Sequence, residues 1–188
     1  DKYHPWELSA EEAAALARRC EAAALGADAR VKNSEGADVQ TSHYQFAYGN
    51  SHGFLQHERG TRHSVSCSVV AEAGGTMQRD YWYDLARSRE ELDSMENIGR
   101  TAALRTVRRL GAASLPTRNC PVLFDATVSG SLIGHLVGAL SGGALYRQSS
   151  FLTDSLGTKI LPQNLSLREE PHIPRAFGST YFDSQGVA

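Results

Sequence analysis

Apolar and polar positions change their period along this chain, and each change predicts a different kind of element. Over residues 9–25 the small and apolar residues Leu16, Ala17 and Cys20 recur at helical spacing. Ser9 and Glu12 form a capping-box pair behind Leu8, and Gly26 stops the run. A helix is predicted there. From residue 29 to residue 87 the period falls to two. Residues 29–32 alternate and Glu35-Gly36 reads as a turn, while residues 43–48 alternate again and stop at the turn-rich stretch 49–53. Residues 62–72 set Val65, Cys67 and Val69 on one face and Ser64, Ser66 and Ser68 on the other, and Gly74-Gly75 reads as a hairpin turn into residues 77–83. The expectation is three or four antiparallel strands of a half-solvated sheet, its apolar face covered by the flanking helices.

The helical period returns over residues 88–110, with Ser88 and Glu91 as a second capping box. Leu92, Met95, Ala103, Val107 and Leu110 share one side, Ile98 and Leu104 fall off the stripe, and Arg100, Arg105, Arg108 and Arg109 centre opposite it. Residues 111–119, with Pro116, read as a domain linker. Beyond them a short buried strand is predicted at 120–124, a Gly-rich helix follows, more helix at 145–156, and a strand at 164–169 before a proline-broken tail. The predicted class is α+β: an antiparallel sheet flanked by helices in a middle domain (1–115), then the N-terminal part of a second α+β domain (116–188).

Composition narrows the choices. In 188 residues, 41% hydrophobic and 21% charged, 19 basic groups face 21 acidic ones, which is enough for a core and too balanced for a polybasic arm. Three cysteines, Cys20, Cys67 and Cys120, have no C-x-x-C spacing and their odd number excludes a fully paired framework, so reduced thiols in the cytoplasm are expected. The chain opens without Met and is read as an internal piece of a longer protein. Residues 126–146 lack Asp, Glu, Lys and Arg and carry Gly130, Gly134 and Gly138 at GxxxG spacing. About half of that stretch is Gly, Ser, Thr and His, too polar for a membrane span, so a soluble protein is expected.

Few constellations carry chemistry. His52, His57 and His63 beside Glu58 are spaced by five and six residues, which does not converge ligands on one regular element. Five arginines between Gly99 and Phe124 resemble a phosphate patch, but most lie on the solvent side or last turn of a helix and no aromatic residues interleave them, so nucleic acid is not the expected partner. Ser131 and His135 are helical neighbours, and Asp125 has no reason to join them as an orienting acid. Gly130, Gly134, Gly138 and Gly142 each cost a helix about 1 kcal/mol relative to Ala, which implies either a close approach by a subunit, domain or ligand, or tight packing within the same domain.

At residues 120–156 the chain resembles the PmbA/TldE branch of the TldD/PmbA family. The carrying residues are 121–124 (Pro-Val-Leu-Phe), 134–139 (Gly-His-Leu-Val-Gly-Ala), Gly142-Gly143, 145–147 (Leu-Tyr-Arg), 149–152 (Ser-Ser-Phe-Leu) and 154–157 (Asp-Ser-Leu-Gly). Further matches at Tyr3-His4-Pro5-Trp6, 49–53, 61–64, 79–81 and 182–184 extend it over nearly the whole chain. The resemblance implies a cytoplasmic metallopeptidase system in which a TldD-type subunit carries His-Glu-x-x-x-His. Two histidines and a cysteine there bind the metal and the glutamate is the base. The paired subunits degrade unfolded peptides or mature peptide antibiotics.

Laid on that motif, Gly130 stands at the first histidine, Ser131 replaces the glutamate, and only His135 survives. Catalytic zinc takes three protein ligands, and water bound to it needs a base. The chain is therefore expected to hold no metal and no catalytic residue, with zinc in a TldD-like partner and His135 structural or facing substrate. Residues five apart are about 140° apart on an α-helix, so the full motif needs local unwinding or a π-bulge, which Gly134 would ease. Unfolded peptides and self-association complete the expected contacts. Two rivals are a non-enzymatic regulator, as in the family's description as a modulator of DNA gyrase, and a self-sufficient peptidase drawing ligands from elsewhere.

Overall fold

The computed structural model describes residues 1–187, which fall into two compact units: Asp1–Ser114 with the residues from Glu170 onward, and Leu115–Glu169. In the first unit, helix α1 (Ala10–Leu25) leads into strands β1 (Val31–Gly49), β2 (Leu55–Ala73) and β3 (Thr76–Ala86), and helix α2 (Met95–Arg108) closes it. The strands form an antiparallel meander in the order β1-β2-β3, and the fold is α+β as predicted. The alternation of β2 sets the layering. Val65, Cys67, Val69 and Ala71 are fully buried under the two helices, with Val31, Cys20, Ala24, Ile98, Ala102 and Ala103 in the same core. Within that core the free thiols of Cys20 and Cys67 are joined by a hydrogen bond, which pushes Cys20 up and draws Cys67 down from their ordinary values.

Several elements form as expected from local signals. Ser9 Oγ accepts from Glu12 N–H at 3.2 Å while Glu12 Oε2 accepts from Ser9 N–H at 2.9 Å, the reciprocal pair that starts α1. Gly74 and Gly75 both adopt positive φ, +59° and +74°, the geometry of a two-residue hairpin turn. Other expectations are corrected. Glu35-Gly36 is no turn: β1 runs through it, with register shifts at Val31/Asn33 and Ser34/Gly36 that make a bulge in which Gly36 takes φ +113°. The second helix starts at Met95, not at Ser88. Arg89–Glu91 form one 3-10 turn, Leu92 is extended, the Ser88 hydroxyl bonds to Glu90, and Ser94 Oγ caps Asn97 N–H instead at 3.2 Å.

The buried face of α2 also differs. Ile98, off the predicted stripe, is at its centre with Gly99, Ala102 and Thr106, because α2 meets α1 backbone to backbone. A Cβ on Gly99 would lie 2.1 Å from the Cys20 carbonyl oxygen. Arg105 and Arg109 do not face solvent freely: both approach Asp80 Oδ2 (3.8 and 3.5 Å), and Arg105 lies over the Trp82 ring at 4.9 Å.

Chain ends far apart in sequence meet on β2. Thr61 N–H donates to Lys2 O at 2.9 Å and the Thr61 hydroxyl to Arg87 O at 2.6 Å, while Lys2 Nζ pairs with Glu58 at 2.8 Å. Arg87, only 3% exposed, spends its guanidinium on Thr61 O, Tyr44 Oη, Ala176 O and Phe177 O at 3.1–3.4 Å. Phe182 packs among Phe46, Tyr48 and Phe54 with ring centroids 5.2–6.4 Å apart.

The second unit contains helices α3 (Ala126–Leu140) and α4 (Gly142–Tyr146), joined at Ser141. The strands expected at 120–124 and 164–169 are irregular and exposed, since neither finds a neighbour to complete its hydrogen bonds and Pro121 lacks a donor. The helix expected at 145–156 stops at Tyr146, and Gln148 turns the chain with φ +54°. Leu152 is the sole buried apolar side chain among the described residues of this unit. Among the described residues, no helix is long and apolar enough to cross a membrane.

Gly99→Ala is expected to cost about 3 kcal/mol in urea unfolding, because the methyl group meets backbone that cannot yield. Gly134→Ala, which meets no atom within 4 Å, should stay within about 1 kcal/mol of the parent. Arg87→Met strands carbonyls in a buried site and should cost about 3 kcal/mol, with faster protease cleavage in the segment beyond Glu170. Hydrogen bonds from the Ser9 backbone, from Arg79 and from Arg19 hold Glu12, Glu35 and Glu96 below the ordinary glutamate value of 4.5. Their contribution is present above that value and is lost as the pH falls through the lower folded values. Urea midpoints should therefore drop on acidification below pH 4.5, and less steeply in Glu12→Gln.

Candidate functional site

Helix α3 carries the three motif positions. Asp125 caps it, its carboxylate accepting from Thr127 N–H at 2.9 Å and from the Thr127 hydroxyl at 2.6 Å. Ser141 ends it, its N–H donating to Gly138 O at 3.3 Å, while its hydroxyl accepts from Ala144 N–H at 3.3 Å to begin α4. The helix is α-helical throughout, with neither unwinding nor a π-bulge. Gly130 and His135 therefore point about 140° apart, and no single metal ion is reached from both positions.

Each motif position has a definite state. A Cβ on Gly130 would meet no atom within 4 Å. Ser131 directs its hydroxyl proton back into the helix, donating to Val128 O at 2.7 Å. His135 is exposed. Ser131 and His135 lie one turn apart, as spacing requires, yet the serine hydroxyl is bonded to Val128 rather than to the imidazole. One imidazole, a hydrogen and a hydroxyl do not fit zinc, which needs three donors. No group of three His, Cys, Asp or Glu side chains able to hold a metal occurs among the described residues.

The glycines at 130, 134, 138 and 142 leave an open backbone stripe: among the described residues, nothing beyond the helix's own neighbouring backbone lies within 4 Å of a Cβ placed on any of them. Tight packing within the same unit is thus not their role among the described residues. Val128, Leu132, Ile133, Val137 and Leu140 are exposed around the rest of α3. These apolar residues occupy about half the circumference of the helix, and the glycine stripe with Ser131 and His135 occupies the other half.

The remaining candidates separate. His52 is in the exposed hairpin turn and His57 is exposed on β2, whereas His63 is buried and donates through Nε2 to His4 O at 2.9 Å, with Trp6 edge-on at 5.7 Å. They form no cluster, and Glu58 belongs to Lys2. The spacing of periods missed the Lys2, Thr61 and Arg87 junction, for which the only sequence signal is a charged residue placed directly after the last apolar position of β3.

Comparisons with known proteins agree over the full chain. The model of the PmbA/TldA metallopeptidase central domain matches residues 3–110, and that of the PmbA/TldA metallopeptidase C-terminal domain matches residues 117–188. Metalloprotease PmbA of Escherichia coli O157:H7 is 47% identical over 187 residues, covering 100% of this chain and 42% of that protein. A crystal structure from Bacteroides thetaiotaomicron, described as a proposed modulator of DNA gyrase, superposes with a TM-score of 0.89 at 28% identity over 100% of this chain and 43% of its own. TldE from Thermococcus kodakarensis shares the fold with a TM-score of 0.70 at 20% identity, over 100% of this chain and 44% of its own. The chain thus spans about two fifths of the length of the relatives it matches. With both of its sections matched, the chain belongs to the PmbA/TldA metallopeptidase family.

Proposed function

We propose that this chain is part of the non-metal-binding subunit of a TldD/TldE-type heteromeric metallopeptidase of the cytoplasm. A TldD-like partner supplies the zinc, the base and the attacking water, and the substrates are unfolded peptides or precursors of peptide antibiotics. One observation carries the reading: α3 presents Gly130, Ser131 and His135 where two histidine donors and a base are needed, with the serine hydroxyl turned to Val128 O at 2.7 Å. The family and the shared fold with a TldE support it. The contribution of this chain is then surface: an open glycine stripe that lets another backbone approach α3, and an exposed imidazole at His135 that can donate to or accept from a peptide.

The rival reading, regulation of a nucleic-acid enzyme, draws on the description of the Bacteroides structure. Of the five arginines it needs, Arg105 and Arg109 are engaged by Asp80, so the surface does not favour it.

The test uses the full-length protein with and without a TldD-like subunit. Alone, it should retain no stoichiometric zinc by elemental analysis and leave unfolded casein intact; mixed with the partner, cleavage should appear. His135→Ala should leave the zinc content of the mixture unchanged. Chelator-sensitive cleavage by the lone protein, with one zinc bound per chain, rejects the proposal.

A further inference from the structure

The solvent face of the sheet is a trough. Opposite residues in the two ladders share a face, so β2 floors it with Ser64, Ser66 and Ser68, while longer side chains rise from β1 and β3 on either side. The walls are about 10 Å apart, two strand spacings. The groove has a volume of about 620 Å³ and is lined by Glu35, Asp38, Ser66, Ser68, Arg79 and Tyr81. Tyr81 and Tyr83, 57% and 50% exposed, stack with centroids 6.2 Å apart along one wall.

Two successive rungs of this trough have the same chemistry. In the first, Ser68 is opposite Tyr81 and Gly36, and the bulge brings Glu35 to the same rung. Glu35 accepts from the Ser68 hydroxyl at 2.8 Å and from Arg79 Nη1 at 2.9 Å, so the chain's own arginine occupies the carboxylate of this rung. In the second, Ser66 is opposite Tyr83 and Asp38: again carboxylate, serine and tyrosine. Here no arginine is supplied. None of the three side chains has a hydrogen bond or ion pair among the described residues.

We propose that the Asp38–Ser66–Tyr83 rung binds the guanidinium of an arginine carried by an extended peptide lying along β2. The carboxylate pairs with the cation, the serine hydroxyl accepts one N–H, and the tyrosine ring offers its face, as the first rung's carboxylate already does for Arg79. An extended backbone fits a trough two strand spacings wide, and its alternate side chains meet successive rungs. The site lies in the first unit and does not depend on the peptidase reading.

The test is titration of the protein with a blocked pentapeptide, Gly-Ser-Arg-Ser-Gly, at low salt, by calorimetry and tyrosine fluorescence. Saturable binding at one site per chain is expected, at least tenfold weaker when citrulline replaces arginine and absent when glutamate does. Asp38→Asn and Tyr83→Ala should each weaken it at least fivefold while leaving the circular dichroism spectrum unchanged. Arg79→Ala empties the first rung and should raise the stoichiometry from one to two. Equal affinity for the citrulline peptide, indifference to Asp38→Asn, or no saturation overturns the proposal. So does a concentration-dependent dimer that Asp38→Asn dissolves, which would assign the rung to a second copy of this chain.

Discussion

A single buried guanidinium decides how the first unit closes. Arg87 follows the last residue of β3, and at 3% exposure it has no water to satisfy its N–H groups. It finds four acceptors instead: the Thr61 carbonyl on the central strand, the Tyr44 hydroxyl on the edge strand, and the Ala176 and Phe177 carbonyls nearly ninety residues onward. No carboxylate pairs with it within ion-pair distance among the described residues, so its charge is met by oriented dipoles and by the face of Phe177 at 5.0 Å. Fixing Arg87 fixes Thr61, whose hydroxyl donates back to the Arg87 carbonyl and whose N–H holds Lys2. The first residues, the sheet and the last residues are one junction.

The opposite side of the sheet is governed by size rather than charge. α1 and α2 approach until only glycine fits at residue 99, and this proximity draws Ile98 and Ala102 into the core and swings α2 around relative to a simple apolar stripe. That rotation brings Arg105 and Arg109 within 3.5–3.8 Å of Asp80. The close helix seam and the pairing of Arg105 and Arg109 with Asp80 therefore have the same cause.

Local chemistry was legible in the residues. The Ser9 and Glu12 box, the alternation of β2 and the Gly74-Gly75 turn all arise from interactions within a few positions, and they formed where the pattern put them. Features with distant causes were not. Ser88 carries the spacing of a cap, yet the helix waits for Ser94 because Leu92 must extend first. Glu35-Gly36 has turn composition, and only pairing with Ser68 across the ladder shows that it is a bulge. For the candidate site, the residue types at 130, 131 and 135 were enough to argue for a missing metal centre. The straightness of α3 and the inward turn of the Ser131 hydroxyl needed coordinates.

Because the chain departs from the first unit after Ser114 and rejoins it at Glu170, the stretch between is a closed excursion rather than a tail. Closure entropy grows only with the logarithm of loop length, so doubling the excursion costs the host about 0.6 kcal/mol. Changes of length in that stretch therefore weigh little on the closure of the first unit.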